Sequence, residues 1–274
     1  MDRSGASGDV AWPAQHARRV LRFWRDWVSD TPDELCTMAV FRYAPPEPFI
    51  PPGCTERRSS RSPACTSTRK APPSQTLSRR GSSAPRSTCS GRCPTRQSRA
   101  CFDAGAPRGS RNSWRSGYLD VLSDEAIDSI LSLTDGIPAP LGQFHVHHLG
   151  GAVSRVPAGA TAVGNRSARF LVNLVGTRVD PAKDQANNAW VRTASEAMEP
   201  HGTGARYVNF LADEGEASVR SAYQADTYTR LQDLKARYDP TNLSTSTRTS
   251  SRPSPTSPTA AHSAQTCVRY RGGP

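Results

Sequence analysis

Residues 168–177 have the sequence ARFLVNLVGT, which is dominated by apolar and β-branched side chains. A run of this length and composition indicates a strand that is buried within a sheet. Three further stretches have strand character: CTMAVFRY (36–43), GQFHVHHLGGAV (142–153) and ARYVNFLAD (205–213). The chain is therefore expected to build a sheet from strands that are well separated in sequence.

Helical patterns lie between these strands. Residues 14–28 carry one apolar stripe at helical spacing. Ser123 can cap a helix whose first turn contains two acids, and Asp180 followed by Pro181 begins another that extends to about residue 198. Residues 218–240 are predicted to be helical in two pieces. This order of elements predicts an α+β fold, an antiparallel sheet with helices on one face.

The positive charge of the chain is concentrated in two segments. The net charge is +11 over 274 residues. Residues 54–100 contribute +10 and residues 244–274 contribute +4, so the remainder is slightly acidic. Both segments are rich in Arg, Ser and Pro, a composition typical of disorder. A basic, partly disordered nucleic-acid-binding protein is therefore an alternative interpretation, and a vestigial product without activity is another.

A second explanation of these segments comes from the genetic code. With a suitable choice of codons, a one-base shift turns CTERRSSRSPA (54–64) into LHGAPVVAVAG, which has strand character. The same shift direction turns STSTRTS (244–250) into FHLNQNI. Both segments are therefore interpreted as frameshifted. We expect that residues 54–100 cannot supply the strand that the shifted sequence would form.

Domain boundaries follow from these patterns. Residues 1–14 and 244–274 are predicted to be disordered termini. One domain is expected over residues 15–243, interrupted by a low-complexity segment at 53–101.

The cysteines and the apolar runs bear on location and on metals. Only Cys36 lies outside the unusual segments and their edges, which fits a reducing, cytoplasmic compartment. No run approaches the roughly 18 apolar residues that span a membrane, and the N-terminus has no apolar signal region. No spaced Cys/His zinc signature is present. Neither a membrane nor a metal partner is therefore expected.

Four stretches resemble the C-terminal half of FAD-linked oxidases of the berberine bridge enzyme-like family. They are VLRFWRDWVSDTPDELCTMAVFRYAPPEPFIPP (20–52), FDAGAPRGSRNSWRSGYLDVLSDEAID (102–128), HVHHLGGAVSRVPAGATAVGNRSARFLVNL (145–174) and YVNFLADEGEASVRSAYQADTYTRLQDLKARYDPTNL (207–243). The last is similar to the berberine-like C-terminal motif, expected over residues 205–243. The resemblance implies a substrate domain whose antiparallel sheet covers the flavin ring.

The same resemblance implies an FAD-dependent oxidoreductase that passes hydride from a small alcohol, sugar-like or amine substrate to flavin. In the family an N-terminal domain binds most of the FAD, and this chain as given begins after it. The chain alone is therefore expected to be inactive. Its expected partner is a small-molecule substrate, without a specific nucleic acid.

The resemblance also implies site residues. Tyr207 is expected to contact flavin or substrate and to help remove a proton, and Asn209 to orient it or to bind the cofactor. Alternation on the predicted strand places both on one face; the alternative is a polar pair at a sheet surface. His145 and His147 share a strand face, where they either line the substrate pocket or lie on plain sheet surface. Relatives often place a catalytic carboxylate after the pair Gly150–Gly151; residues 151–166 contain no Asp or Glu, so no general base is assigned.

Overall fold

The computed structural model describes residues 4–12, 14–33, 35–43, 65–68, 87–94, 107–138, 140–212 and 214–243. For residues 4–11, 65–68 and 87–94 only the backbone is described.

Among the described residues, seven strands form one sheet in which every neighbouring pair is antiparallel. In chain order they are β1 (Ser4–Ala11), β2 (Thr37–Arg42), β3 (Cys65–Thr68), β4 (Ser87–Pro94), β5 (Arg111–Leu119), β6 (Gln143–His148) and β7 (Phe170–Arg178). Their spatial order is β4-β1-β3-β2-β6-β7-β5. All nine residues of β7 are buried, as its apolar sequence predicts.

Five helices accompany the sheet in the described part of the chain: α1 (Ala17–Trp27), α2 (Asp124–Thr134), α3 (Asp184–Met198), α4 (Gly215–Ser221) and α5 (Ala225–Tyr238). Helices α1, α2 and α3 pack on one face of the sheet and share a core with it. The fully buried residues of that core include Leu21, Trp24, Ile127, Phe144 and Phe170. The predicted α+β class, an antiparallel sheet with helices on one face, is confirmed.

Local signals begin the helices where the sequence predicts. The Ser123 hydroxyl accepts a 3.1 Å hydrogen bond from the Ala126 amide, which caps α2. The Asp180 carboxylate accepts a bond from the Ala182 amide, so it caps the short 3₁₀ turn that leads into α3. Residues 218–240 are helical in two pieces, α4 and α5, as predicted.

The predicted disorder is wrong at three places. β1 lies within residues 1–14, and β3 and β4 lie within residues 53–101. β3 pairs with β1 on one side and with β2 on the other, so residues 54–100 do supply a strand at this point of the sheet. A ladder is made of backbone hydrogen bonds, and these do not depend on apolar side chains. The rest of 53–101 and the tail 244–274 lie outside the described residues, and the frameshift interpretation stays a prediction.

The predicted strand at 205–213 is also wrong. Residues Val208–Phe210 form a 3₁₀ turn, and Tyr207 is extended just before it. In such a turn, side chains three residues apart lie above one another. This brings the rings of Tyr207 and Phe210 together edge-on, with their centroids 5.0 Å apart. A ring contact between residues three apart therefore replaces the alternation of a strand.

Candidate active site

The sheet face that points away from α1, α2 and α3 carries the polar and aromatic side chains of the candidate site. We call it the site face. It is formed by alternate residues of three adjacent strands: Trp114, Ser116 and Tyr118 of β5, His145 and His147 of β6, and Leu171 and Asn173 of β7. The residues between them, such as Phe144, Val146 and Val172, enter the core on the helix side. The predicted alternation of His145 and His147 with Phe144 and Val146 is thus observed.

Ser116 anchors the backbone of Tyr207 to the site face. The Tyr207 amide donates a 3.0 Å hydrogen bond to the Ser116 hydroxyl, which in turn donates to the Tyr207 carbonyl at 3.5 Å. Arg206 strengthens this attachment, because it donates to the Ser116 carbonyl and forms an ion pair with Glu199 at the end of α3. The segment 205–210 is therefore held against β5 although it is not a strand.

The rings of this segment connect it to both neighbouring strands. Phe210 stacks on Trp114 at 5.8 Å and lies 5.9 Å from the imidazole of His147. Tyr207 meets Tyr118 edge-on at 6.4 Å. Aromatic pairs at these separations contribute beyond the area they bury. The fold thus brings Tyr207 and His147, which are sixty residues apart in sequence, onto one aromatic cluster.

Tyr207 and Asn209 form a direct contact. The Asn209 amide donates a 2.8 Å hydrogen bond to the phenolic oxygen of Tyr207. The alternation that predicted a shared face does not occur in the 3₁₀ turn, but the pairing itself does. Because the phenolic oxygen is the acceptor here, its own hydrogen remains available for another acceptor.

His145 belongs to a short chain of hydrogen bonds. Its Nε2 is 2.8 Å from the Gln143 side-chain oxygen, and its Nδ1 is 3.4 Å from the Asn173 side-chain nitrogen. An amide oxygen can only accept, so Nε2 carries the hydrogen and Nδ1 accepts from Asn173. Burial, reinforced by His147 and Arg42, lowers the pKa of His145 to about 3, which keeps it neutral.

Two buried polar atoms of the site face lack a hydrogen-bond partner among the described residues. They are the Nε2 of His147 and the Oδ1 of Asn173. Burial lowers the pKa of His147 to about 4, so this imidazole is neutral near pH 7 and one of its nitrogens can donate while the other accepts. Buried polar atoms are nearly always paired, so each unpaired one calls for an explanation, such as an ordered water or a bound group.

Sequence reasoning missed Ser116, Asn173 and Phe210 as site residues. Asn173 interrupts an otherwise apolar strand, and an amide in such a run is the one signal that could have drawn attention to it. Ser116 and Phe210 had no such signal, since their roles depend on contacts between distant segments.

The residues that follow the pair Gly150–Gly151 form a loop held by backbone packing and hydrogen bonds. Gly151 has φ +59°, and an added Cβ there would lie 2.6 Å from the Asp33 carbonyl oxygen. This close approach and the positive φ together explain why a glycine stands at this position. Arg166 donates to the Val153 carbonyl and to the Thr161 hydroxyl, so it ties this loop together.

The carboxylate of Glu214, which follows the Tyr207 segment, forms an ion pair with Arg115. The Glu214 side chain is buried and lies 3.3 Å from the Arg115 guanidinium. Within the described ranges, no three His, Cys, Asp or Glu side chains come together as metal ligands would. None of the described helices has the length and hydropathy to cross a membrane.

Comparisons with known proteins find a family model and relatives that are similar to this chain. The family model "Berberine and berberine like" matches residues 206–245, the stretch that begins beside Tyr207. The uncharacterized FAD-linked oxidoreductase YvdP of Bacillus subtilis (strain 168) is 29% identical over 124 residues, 45% of this chain and 27% of that protein. The aclacinomycin-N/aclacinomycin-A oxidase of Streptomyces galilaeus is 31% identical over 119 residues, 37% of this chain and 22% of its own length.

A solved structure shares the fold. The wild-type BBE-like 1 protein of Physcomitrella patens superposes with a TM-score of 0.68 at 14% identity, over 88% of this chain and 52% of the other. The matches thus span about a quarter of the curated relatives and about half of this solved chain. Fold and matched segment define an α+β domain that is similar to part of FAD-linked oxidoreductases. Within that class, the chain is similar to the berberine bridge enzyme-like family in its matched C-terminal segment and in its fold.

Proposed function

We propose that this chain provides the substrate-binding side of an FAD-dependent oxidoreductase that oxidises a small alcohol, sugar-like or amine substrate. The observation that carries the proposal is the contact between Asn209 and Tyr207 beside His147 on the site face. A polar pair at an ordinary sheet surface would not explain two further buried atoms without partners nearby.

The residues present fit a planar heterocyclic cofactor. The segment 207–210 and β5 offer aromatic rings, and the phenol of Tyr207 and the amide of Asn209 are suited to the polar edge of such a ring. Tyr207 and Asn209 are the residues we assign to FAD. When bound, FAD supplies the acceptor for the hydride that leaves the substrate carbon.

The protein would then handle the proton. An alcohol or amine that loses hydride from carbon must also lose the proton of its O–H or N–H group. The Tyr207 oxygen is proposed to accept a hydrogen bond from that O–H or N–H group and to assist the transfer of its proton to water, while the bond from Asn209 and the Ser116 anchor hold it in place. His145 and His147 are proposed to line the substrate pocket.

The test joins the chain to the FAD-binding domain of a related oxidoreductase, loads this protein with FAD, and mixes it anaerobically with a panel of small alcohols, sugars and amines. Loss of the oxidised flavin absorbance with members of one class, together with the matching carbonyl or imine product, is the expected result. If no member of any of the three classes reduces the flavin, the proposal is wrong.

A further inference from the structure

The two unpartnered atoms on the site face are the Oδ1 of Asn173 and the Nε2 of His147. Asn173 is 1% exposed, and its Oδ1 is an acceptor that lacks a donor among the described residues. The Nε2 of His147 is likewise buried and unpartnered. In the β6–β7 ladder Asn173 is opposite His145, and His147 is opposite Leu171, so the two residues are diagonal neighbours on one face.

The orientation of the Asn173 amide is set by its hydrogen bond to His145. Gln143 accepts from the Nε2 of His145, which leaves Nδ1 as an acceptor for the Asn173 amide nitrogen. Since the nitrogen end of the amide is used in this way, the oxygen end is the one that points away from the pair and remains open. Both ring nitrogens of His145 have hydrogen-bond partners. The buried Nε2 of His147 has none among the described residues. The two histidines therefore have different roles.

We propose that Asn173 and His147 together bind a hydroxyl-bearing group of the substrate, with Asn173 as the acceptor for its O–H and with His145 as a residue that positions Asn173. This inference rests on the proposed function, because it names a substrate class for the same site.

A hydroxyl group fits this pair because it both donates and accepts. Its hydrogen can satisfy the Asn173 oxygen, and its oxygen, or that of a neighbouring hydroxyl, can accept from the His147 Nε2–H. A ketone or an ether offers no donor and would leave the buried Asn173 oxygen unpaired, which a site of this kind discriminates against strongly. The surroundings agree, since the Phe210 ring beside His147 can pack against the carbon skeleton of a sugar-like ligand.

The test is calorimetric titration of the full chain with methyl glucoside and with its per-O-methylated derivative. The derivative keeps the ring and the oxygen acceptors but lacks every donor. Binding of the glucoside, at least about tenfold tighter than the derivative, is expected. Equal binding of both compounds, or no binding of the glucoside, would overturn the proposal without any variant being needed.

Asn173→Leu is the corresponding variant, with Asn187→Leu as its matched control. Asn187 is also fully buried with an unpartnered side-chain oxygen, but it lies on α3. Both variants remove one such oxygen, and only Asn173→Leu should weaken glucoside binding, by about tenfold. If Asn173→Leu lowers the melting temperature and leaves the affinity unchanged, Asn173 is structural and the proposal fails.

The positioning role of His145 has its own readout. His145→Phe keeps a ring but removes the acceptor for the Asn173 amide, so the preference for the glucoside over its methylated derivative should fall toward one. An unchanged preference would overturn this role. These binding measurements need no flavin turnover, so they remain separable from the test of the proposed function: the glucoside can bind even where no flavin is reduced.

Discussion

The amide of Asn209 donates a 2.8 Å hydrogen bond to the phenolic oxygen of Tyr207, two residues earlier in a 3₁₀ turn. This contact fixes one of the oxygen's interactions and leaves its hydrogen for a partner in the site. The backbone of Tyr207 is held independently by Ser116. A substitution of the hydroxyl group can therefore change chemistry without moving the ring.

Tyr207→Phe is expected to slow flavin reduction by about a hundredfold in the FAD-loaded protein, the lower range of what proton transfer by a positioned side chain contributes. Affinity for FAD should change little, because the ring contacts with Phe210 and Tyr118 remain. Anaerobic stopped-flow absorbance measures the reduction rate. Tyr238→Phe is the control, since that side chain is 73% exposed on α5. Equal rates in the parent protein and Tyr207→Phe would contradict the assigned role.

Gly151→Ala is expected to destabilise the protein by about 3 kcal/mol or more, because a left-handed conformation is combined with an overpacked contact. The added Cβ would meet the Asp33 backbone at 2.6 Å. Gly109→Ala is the matched control: its φ is +80°, but nothing lies within 4 Å of its added Cβ, so it should cost only about 1–2 kcal/mol. Urea unfolding of both variants gives the difference, and similar losses would show that the contact at Asp33 relaxes.

Acid should weaken the fold through the two site histidines. Burial lowers the pKa of His145 to about 3 and that of His147 to about 4, from 6.5. Below pH 6.5 the unfolded state binds protons that the folded state does not, so stability is full above that pH and is lost as the pH falls toward 4. The loss is at most about 1.4 kcal/mol per pH unit for each histidine.

Urea unfolding midpoints measured between pH 6.5 and pH 4 test this loss of stability. His147→Gln should make the midpoint depend less on pH than it does in the parent protein. A variant whose stability falls with acid as steeply as that of the parent would show that His147 is not the source.

Asp184 should contribute stability that disappears at lower pH. Hydrogen bonds from Arg111 and Arg178 lower its pKa to about 2, from 3.8. A carboxylate with a lowered pKa stabilises the fold above its unfolded value, and this contribution is lost as the pH falls from about 4 to about 2. Asp184→Asn should therefore be less stable than the parent at pH 7 and equal to it near pH 2. Asp233→Asn, on the exposed side of α5, serves as the control in the same unfolding series.

Nucleic-acid binding should be weak, without sequence preference, and steeply reduced by salt. The positive charge lies in residues 54–100 and 244–274, while the remaining chain is slightly acidic. Such binding depends on counterion release from phosphates. Fluorescence anisotropy with two unrelated duplexes at several salt concentrations measures it. A complex that prefers one sequence and survives physiological salt would instead favour the nucleic-acid-binding alternative.

Much of the fold follows from the sequence alone. The apolar run at β7, the alternation at β6 and the caps at Ser123 and Asp180 are local signals, and each element begins close to where its signal lies. β5 was missed because its sequence, RNSWRSGYL, is polar and low in β-branched residues. It is the edge strand next to β7, where one side of the backbone needs no partner strand.

The candidate site shows the limit of local signals. The sequence by itself determined which residues carry suitable chemistry, Tyr207, Asn209, His145 and His147, because side-chain type and motif are written in it. Only the tertiary structure decided how they meet: the turn at 208–210, the anchor at Ser116, and the difference between the two histidines. Both nitrogens of His145 have partners, whereas the Nε2 of His147 has none among the described residues. Hydrogen-bond partners and burial depend on strands distant in sequence, so no pattern along the chain could have supplied them.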